Sequence, residues 1–327
     1  MASFNYQKIC QELIFDLNER QKEIISRRFG LNDRLRETLE SIGDDFGICR
    51  ERVRQIQEDG FLKIKPKLNL YQKIFEAFLE YFKKFGNLRK EDILLADLGR
   101  EKFKNEVYFL LTLKEPFQRL NESDIFYSLW FIDQNSIQLA KTILEHLYNR
   151  FQKIGKPLAF RDLNPSTPLK REVLISYLEI SKKIQKNEEG FYGLKSWPEI
   201  NPRGIKDRAY LIFKKIGRPL HFTEVANLIE GAHLQTVHNE LIRDQRFVLV
   251  GRGKYALAEW GYFPGQVKDV ILKILIDKGR PMTKEEILEE VKKQRLVKEN
   301  TIFLNLSNKE YFERDSKRRY FPKTTLI

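Results

Sequence analysis

Five side chains on one predicted helical face could do chemistry. In the stretch Arg50–Glu58, the residues Arg50, Glu51, Arg54, Gln55 and Glu58 fall away from the apolar positions Val53 and Ile56. Guanidinium forks, carboxylates and amides are the groups that read base edges: Arg suits the O6/N7 edge of G, Glu the amino group of C, and Gln suits A. Upstream, Leu39, Ile42 and Phe46 have helical spacing, and Gly47 stands where the chain must turn with φ > 0. A helix, a glycine turn and a second helix with arginines at its exposed start are built to lie in a major groove. An ordinary amphipathic helix with a solvated charged face would carry similar residues. Three arginines in five residues, beginning directly after the turn, favour DNA contact.

The segment Leu17–Lys65, reading LNERQKEIISRRFGL and then TLESIGDDFGICRERVRQIQ, resembles region 4 of bacterial sigma-70 family factors. The specific parts are NERQKEIISRRFGL (Asn18–Leu31) and RERVRQI (Arg50–Ile56). The resemblance implies recognition of a promoter −35 element and docking on the flap of bacterial RNA polymerase. It places the base-reading positions on Arg50, Glu51 and Gln55, with Arg52 and Arg54 near phosphates. Two residues depart from the family. Cys49 stands where a Ser or Thr is usual, so the recognition helix lacks an N-cap hydroxyl worth about 1 kcal/mol. Gly60 replaces a usual Ala near the helix end and costs roughly another 1 kcal/mol in propensity. Both departures imply a weaker or more conditional binder. Nothing in the chain resembles sigma regions 2 or 3, so a complete sigma factor is not expected.

At 327 residues, length alone implies two or three domains, and a hydrophobic content of 42% supports folded cores. No apolar run approaches the ~20 residues of a membrane span, and the N-terminus has no signal-peptide core. Only Cys10 and Cys49 are present, and His146, His221, His233 and His238 have no ligand cluster around them, so neither disulfide, metal nor cofactor is expected. The compartment expected is cytoplasmic and nucleoid-associated. Net charge is +13 and the pI about 9.5, which favours a polyanionic partner, and the cationic excess grows toward the C-terminus.

Internal repetition organises the chain after Pro66. QKIGKPLAFRDL (Gln152–Leu163), KKIGRPLHFTEV (Lys214–Val225) and DKGRPMTKEEI (Asp277–Ile287) carry Gly155, Gly217 and Gly279 at a period of 62. KKFGNLRKEDIL (Lys83–Leu94) is a weaker copy without the proline. In each copy an amphipathic helix ends in a glycine turn. The clearest copy continues with a short helix (Phe222–Glu230), a third helix (Leu234–Asp244) and β-like residues around Gly251-Arg252-Gly253.

Three helices and a hairpin in about sixty residues are the winged-helix pattern, and Ala209–Trp260 resembles the HARE-type winged-helix domain of the RNA polymerase delta subunit. The fold expected is therefore mainly α. A sigma region 4-type helix-turn-helix (1–68) precedes a degenerate winged-helix-like module (70–133) and three winged-helix modules (136–200, 204–262, 266–327).

Aromatic residues recur at the wings: Tyr127 and Trp130, Tyr192 and Trp197, Tyr255 and Trp260, Tyr320 and Phe321. Recurrence in every copy favours core packing over base stacking. The wing cations Arg252, Lys254, Lys317, Arg318 and Arg319 are the better phosphate candidates, with Arg52 and Arg54. Gln235, Thr236, His238 and Asn239 on the third helix either face a groove or form a solvated face. No P-loop, GxSxG or HExxH motif occurs, so an enzyme is not expected.

The reading that follows is a transcription regulator that binds duplex promoter DNA, a −35-like element, docks on RNA polymerase, or both. It would take no membrane or small-molecule substrate. The alternative is a delta-like polymerase-associated protein whose modules bind protein. Short linkers near Asn201–Gly204 and Phe263–Gly265 would join independent cores.

Overall fold

Asn18 accepts the Gln21 backbone N–H at 2.8 Å while the Gln21 side chain accepts from the Asn18 N–H, a reciprocal cap that starts a helix. Gly30, at φ 63°, ends the same helix in the left-handed conformation, and the Leu31 N–H returns to the Ser26 carbonyl at 2.9 Å. Local rules of this kind set the helices in the computed structural model, which describes residues 4–163 and 168–323. The protein is mainly helical with small antiparallel sheets, in two compact units, 1–196 and 197–327. Among the described residues no helix is long and apolar enough to cross a membrane.

The first unit begins with α1 (Tyr6–Ile14), α2 (Glu19–Phe29), α3 (Leu39–Phe46) and α4 (Arg50–Ile64). A 3-10 turn, Lys65–Tyr71, leads to α5 (Gln72–Lys84), β1 (Leu88–Lys90), α6 (Glu91–Gly99), α7 (Lys104–Leu113), β2 (Gln118–Leu120) and β3 (Leu129–Phe131). Next come α8 (Gln134–Ile154), a 3-10 turn at Phe160–Asp162, α9 (Arg171–Ile180), β4 (Ile184–Lys186) and β5 (Tyr192–Leu194).

The sequence KNEVYFLLTL makes α7 apolar around most of its circumference, so it must be covered on several sides. From the first four helices, Tyr6 stacks on Phe78 of α5 with ring centroids 6.3 Å apart, and Phe29 lies 5.1 Å from Phe109 of α7. Phe61 of α4 approaches Phe109 as well. One continuous core therefore runs from Tyr6 to Trp130, shared by the expected segments 1–68 and 70–133.

The next segment joins through polar contacts. Ser176 Oγ on α9 donates to the Leu88 carbonyl at 2.7 Å, and the Tyr127 N–H donates to the Ile180 carbonyl at 2.9 Å. Arg89 on β1, 6% exposed, bonds Tyr81 Oη, Asp97 and Glu179, while its guanidinium lies 4.2 Å from the Phe85 ring centroid.

The second unit holds α10 (Gly204–Ile216), β6 (Leu220–His221), α11 (Phe222–Leu228), α12 (Leu234–Arg243), β7 (Phe247–Gly251) and β8 (Lys254–Leu257). It ends with α13 (Val267–Lys278), α14 (Lys284–Gln294), α15 (Glu299–Leu306), β9 (Phe312–Arg314) and β10 (Tyr320–Pro322). The helices and hairpin read from the sequence between Phe222 and Leu257 are present within a residue or two. The junction Phe263–Gly265, expected as a short linker, is tied to α14 and the residue after it. Gln294 accepts the Phe263 N–H at 2.8 Å, and the buried Arg295 donates to the Phe263 and Gly265 carbonyls.

A first strand that the sequence did not reveal recurs in every copy. The residue just beyond each glycine turn pairs antiparallel with a ring on the last strand: Leu88 with Phe131, Leu158 with Tyr192, Leu220 with Tyr255, Met282 with Tyr320. These strands are two or three residues long, or a single bridge, too short for alternation to register in a sequence. In the last three copies the paired ring is one of the recurring aromatics, Tyr192, Tyr255 or Tyr320. Trp130, Tyr192, Tyr255 and Tyr320 are buried, and Tyr127, Trp197, Trp260 and Phe321 are half-buried.

Candidate nucleic-acid interface

Thr38 caps α3 by accepting the Ser41 N–H at 3.1 Å, and Gly47, at φ 62°, ends it. Nothing lies within 4 Å of the position a Gly47 Cβ would take, so it is backbone conformation that demands glycine there. The three-residue turn Gly47–Cys49 then delivers α4. Between the two helices a small separate core forms from Ile24, Ile42, Val53 and Ile56, with Leu39, Phe46 and Ile48 against it. All five apolar residues chosen from helical spacing lie in it.

Packing those residues inward turns Arg50, Glu51, Arg52 and Gln55 to solvent, with Arg54 half-buried. The exposed groups are not all free. Arg54 donates to Glu51 at 2.6 Å and to Glu58, and this guanidinium holds the Glu51 carboxyl below the usual carboxylate range. Arg52 Nη1 donates to Gln55 Oε1 at 3.1 Å. Among the described residues no hydrogen bond or ion pair engages the Arg50 side chain, at the first turn of the helix. Arg50 is thus ready to meet a partner, whereas Glu51, Arg54 and Gln55 must exchange an internal bond for an external one.

Residues outside the two helices of the turn position them, and the sequence assigned these residues no such role. Arg27 on α2 bonds Glu37 at 2.5 Å and also Asp45 on α3, and the Arg28 guanidinium donates to the Glu37 carbonyl at 2.7 Å. These bonds raise the Arg27 pKa and lower that of Glu37, so the clasp stays charged. Asn105 on α7 donates to the Gly30 carbonyl at 2.8 Å, and Arg36 lies over the Tyr108 ring at 4.3 Å. A Cβ on Gly30 would come within 2.6 Å of Asn105 Nδ2, so the glycine serves this approach as well as its positive φ.

The two departures at the ends of α4 separate. Cys49 has N-cap geometry, φ −70° and ψ 153°, and its side chain makes no capping bond. Cys49→Ser should therefore stabilise the first unit by about 1 kcal/mol, read as a higher urea midpoint. An unchanged midpoint would show that a hydroxyl there does not reach the free N–H groups. Gly60 is a different matter. It is buried against α2, where a Cβ would meet Ile25 Cδ1 at 2.8 Å. Glycine lets α4 lie close on α2 there, at the expected cost in helix propensity.

The wing candidates also divide. Arg252 and Lys254 are exposed at the tip between β7 and β8, and Lys317 and Arg318 at the tip between β9 and β10. Arg319 is drawn back by Asp315, which accepts its Nε–H at 2.7 Å. On α12, Gln235 and Thr236 are exposed, and Gln235 donates to Asn239 at 3.1 Å. His238 packs inward, its ring centroid 4.3 Å from that of Phe222 and its edge toward Tyr255.

Residues 13–65 match the family described as Sigma-70, region 4. The protein named RNA polymerase sigma factor sigB from Arabidopsis thaliana is 43% identical over 56 residues, 17% of this chain and 10% of that protein. RNA polymerase sigma factor RpoS of Coxiella burnetii (strain RSA 493 / Nine Mile phase I) is 43% identical over 70 residues, 21% of this chain and 20% of its own. The chain thus spans a tenth to a fifth of the curated relatives it matches. The N-terminal segment carries a helix-turn-helix of the sigma-70 region 4 type.

Proposed function

We propose that this chain is a DNA-binding transcription regulator. Its region 4-type segment reads a −35-like promoter element through Arg50, Glu51 and Gln55, and it docks on the flap of bacterial RNA polymerase. The four following segments act as tandem winged helices, the one at 204–262 of the HARE type, which extend contact along DNA. The chain works by binding and not by catalysis, in the cytoplasm at the nucleoid. One observation carries the reading: a separately cored helix-turn-helix turns an unpaired Arg50, with Glu51 and Gln55, to solvent at the start of its second helix.

Arg50→Ala in the full chain should cost about 1–3 kcal/mol on the preferred duplex and relax base preference at one position. Footprinting with an unchanged site preference would remove the base-reading claim. The bonds of Arg54 to Glu51 and Glu58 favour a second reading, in which this face is satisfied internally and the segment docks on polymerase without reading DNA. In that case Arg50→Ala leaves promoter retardation untouched while polymerase capture by the full chain persists.

A further inference from the structure

The second unit contains a junction that the repeat pattern did not foretell. The Leu296 N–H, in the corner between α14 and α15, donates to the Val250 carbonyl of β7 at 2.6 Å, and Gly251 and Leu296 form a parallel bridge. The strand pairing shifts register between Leu249 and Gly251, as at a β-bulge. Gly251 does not have a positive φ. Its constraint is proximity: a Cβ there would stand 3.0 Å from the Leu296 carbonyl oxygen and 3.2 Å from the Leu296 Cβ, tight for either. Backbone cannot yield as a side-chain tip can. With Arg295 and Gln294 holding residues 261–265, the hairpin of one module and the helical corner of the next are fixed together.

This lock brings cations from two modules to one edge. Arg252 and Lys254 flank the hairpin tip beside Gly251, and Lys298 stands two residues beyond Leu296, at the start of α15. All three are exposed, and among the described residues no hydrogen bond or ion pair engages their side chains. Their neighbours differ: Lys292 pairs with Glu299 and Lys293 with Glu290. We infer that Arg252, Lys254 and Lys298 form one composite ridge that seats the phosphate backbone of duplex DNA, with Gly251 as the residue that lets the two modules build it. The inference rests on the reading of the wings as DNA-contacting and adds a contact from the next module's helical corner.

The test is the salt dependence of duplex binding by the full chain and by Arg252→Ala, Lys254→Ala, Lys298→Ala and the triple variant. Lys215→Ala removes an equal charge outside the ridge and serves as the control. Each ridge substitution should flatten the slope of log affinity against log salt by up to roughly 0.9, and the triple by the sum. The preferred site should be unchanged, because phosphate contacts carry no sequence information. A silent Lys298→Ala beside effective Arg252→Ala and Lys254→Ala would overturn the composite ridge and leave the wing reading standing. Silence of all three would overturn both. An equal effect of Lys215→Ala would reduce the ridge to diffuse charge and overturn it too.

Discussion

Residues 1–67 expressed alone should fail to form a stable fold, whereas residues 1–196 should unfold in one cooperative transition. A cut after Lys67 removes α5 and α7, the cover of Tyr6, Cys10, Phe29 and Phe61. Each large apolar side chain returned to water costs about 1.5–3 kcal/mol. A small domain holds only about 5–15 kcal/mol in all. Three or four such exposures therefore exceed what the four-residue core of Ile24, Ile42, Val53 and Ile56 can hold. Circular dichroism melts of both fragments decide it. A sharp transition for 1–67, at the temperature found for 1–196, would show that the shared core contributes little. The same physics dictates that DNA and polymerase assays use the full chain.

The parts of this fold that were legible in the sequence are those set by local pattern. Leu39, Ile42, Phe46, Val53 and Ile56 marked the inward faces of α3 and α4 because a 3.6-residue period fixes which side is apolar. Gly47 marked the turn because its φ of 62° is nearly closed to other residues. The hairpin between Phe247 and Leu257 was legible from alternation about Gly251-Arg252-Gly253.

What a face is buried against has no such local signal. That α1, α2 and α7 cover one another is set by partners distant in the chain and not by the pattern within each helix. The clue available was the excess of apolar residues around α7, more than one neighbour could cover. Gly60 was read as a weak helix position and Gly251 as part of a hairpin turn. Both are points of close approach, which depend on a partner more than thirty residues away in the chain. The exposed Arg50 face was readable residue by residue, yet the bonds that occupy Arg54 and Arg319 were not. A neighbouring carboxylate at the right rotamer is a property of the folded chain.

Arg89→Met should destabilise the first unit by about 3–5 kcal/mol, because removing one partner of a buried ionic cluster leaves the other charges without compensation. Arg89 is the node where three helices meet β1: it bonds Tyr81 of α5, Asp97 of α6 and Glu179 of α9. Methionine keeps the stem's apolar packing against Phe85, so the loss reports the guanidinium and its bonds.

The pH dependence gives a second reading of the same variant. Burial already raises the Glu179 carboxyl above its ordinary value even with Arg89 beside it, and removing the guanidinium should raise it further. A carboxyl with a raised folded-state pKa costs nothing while protonated in both states. Its penalty grows as pH rises from the ordinary carboxylate value through the folded-state value. The gap between variant and wild type should therefore be small in acid and full at neutral pH, in urea titrations at several pH values. A gap independent of pH would assign the loss to packing alone. A gap under about 1 kcal/mol at neutral pH would put the cluster among the weak surface pairs. That result would remove the coupling of the second segment to α9 that the shared node implies.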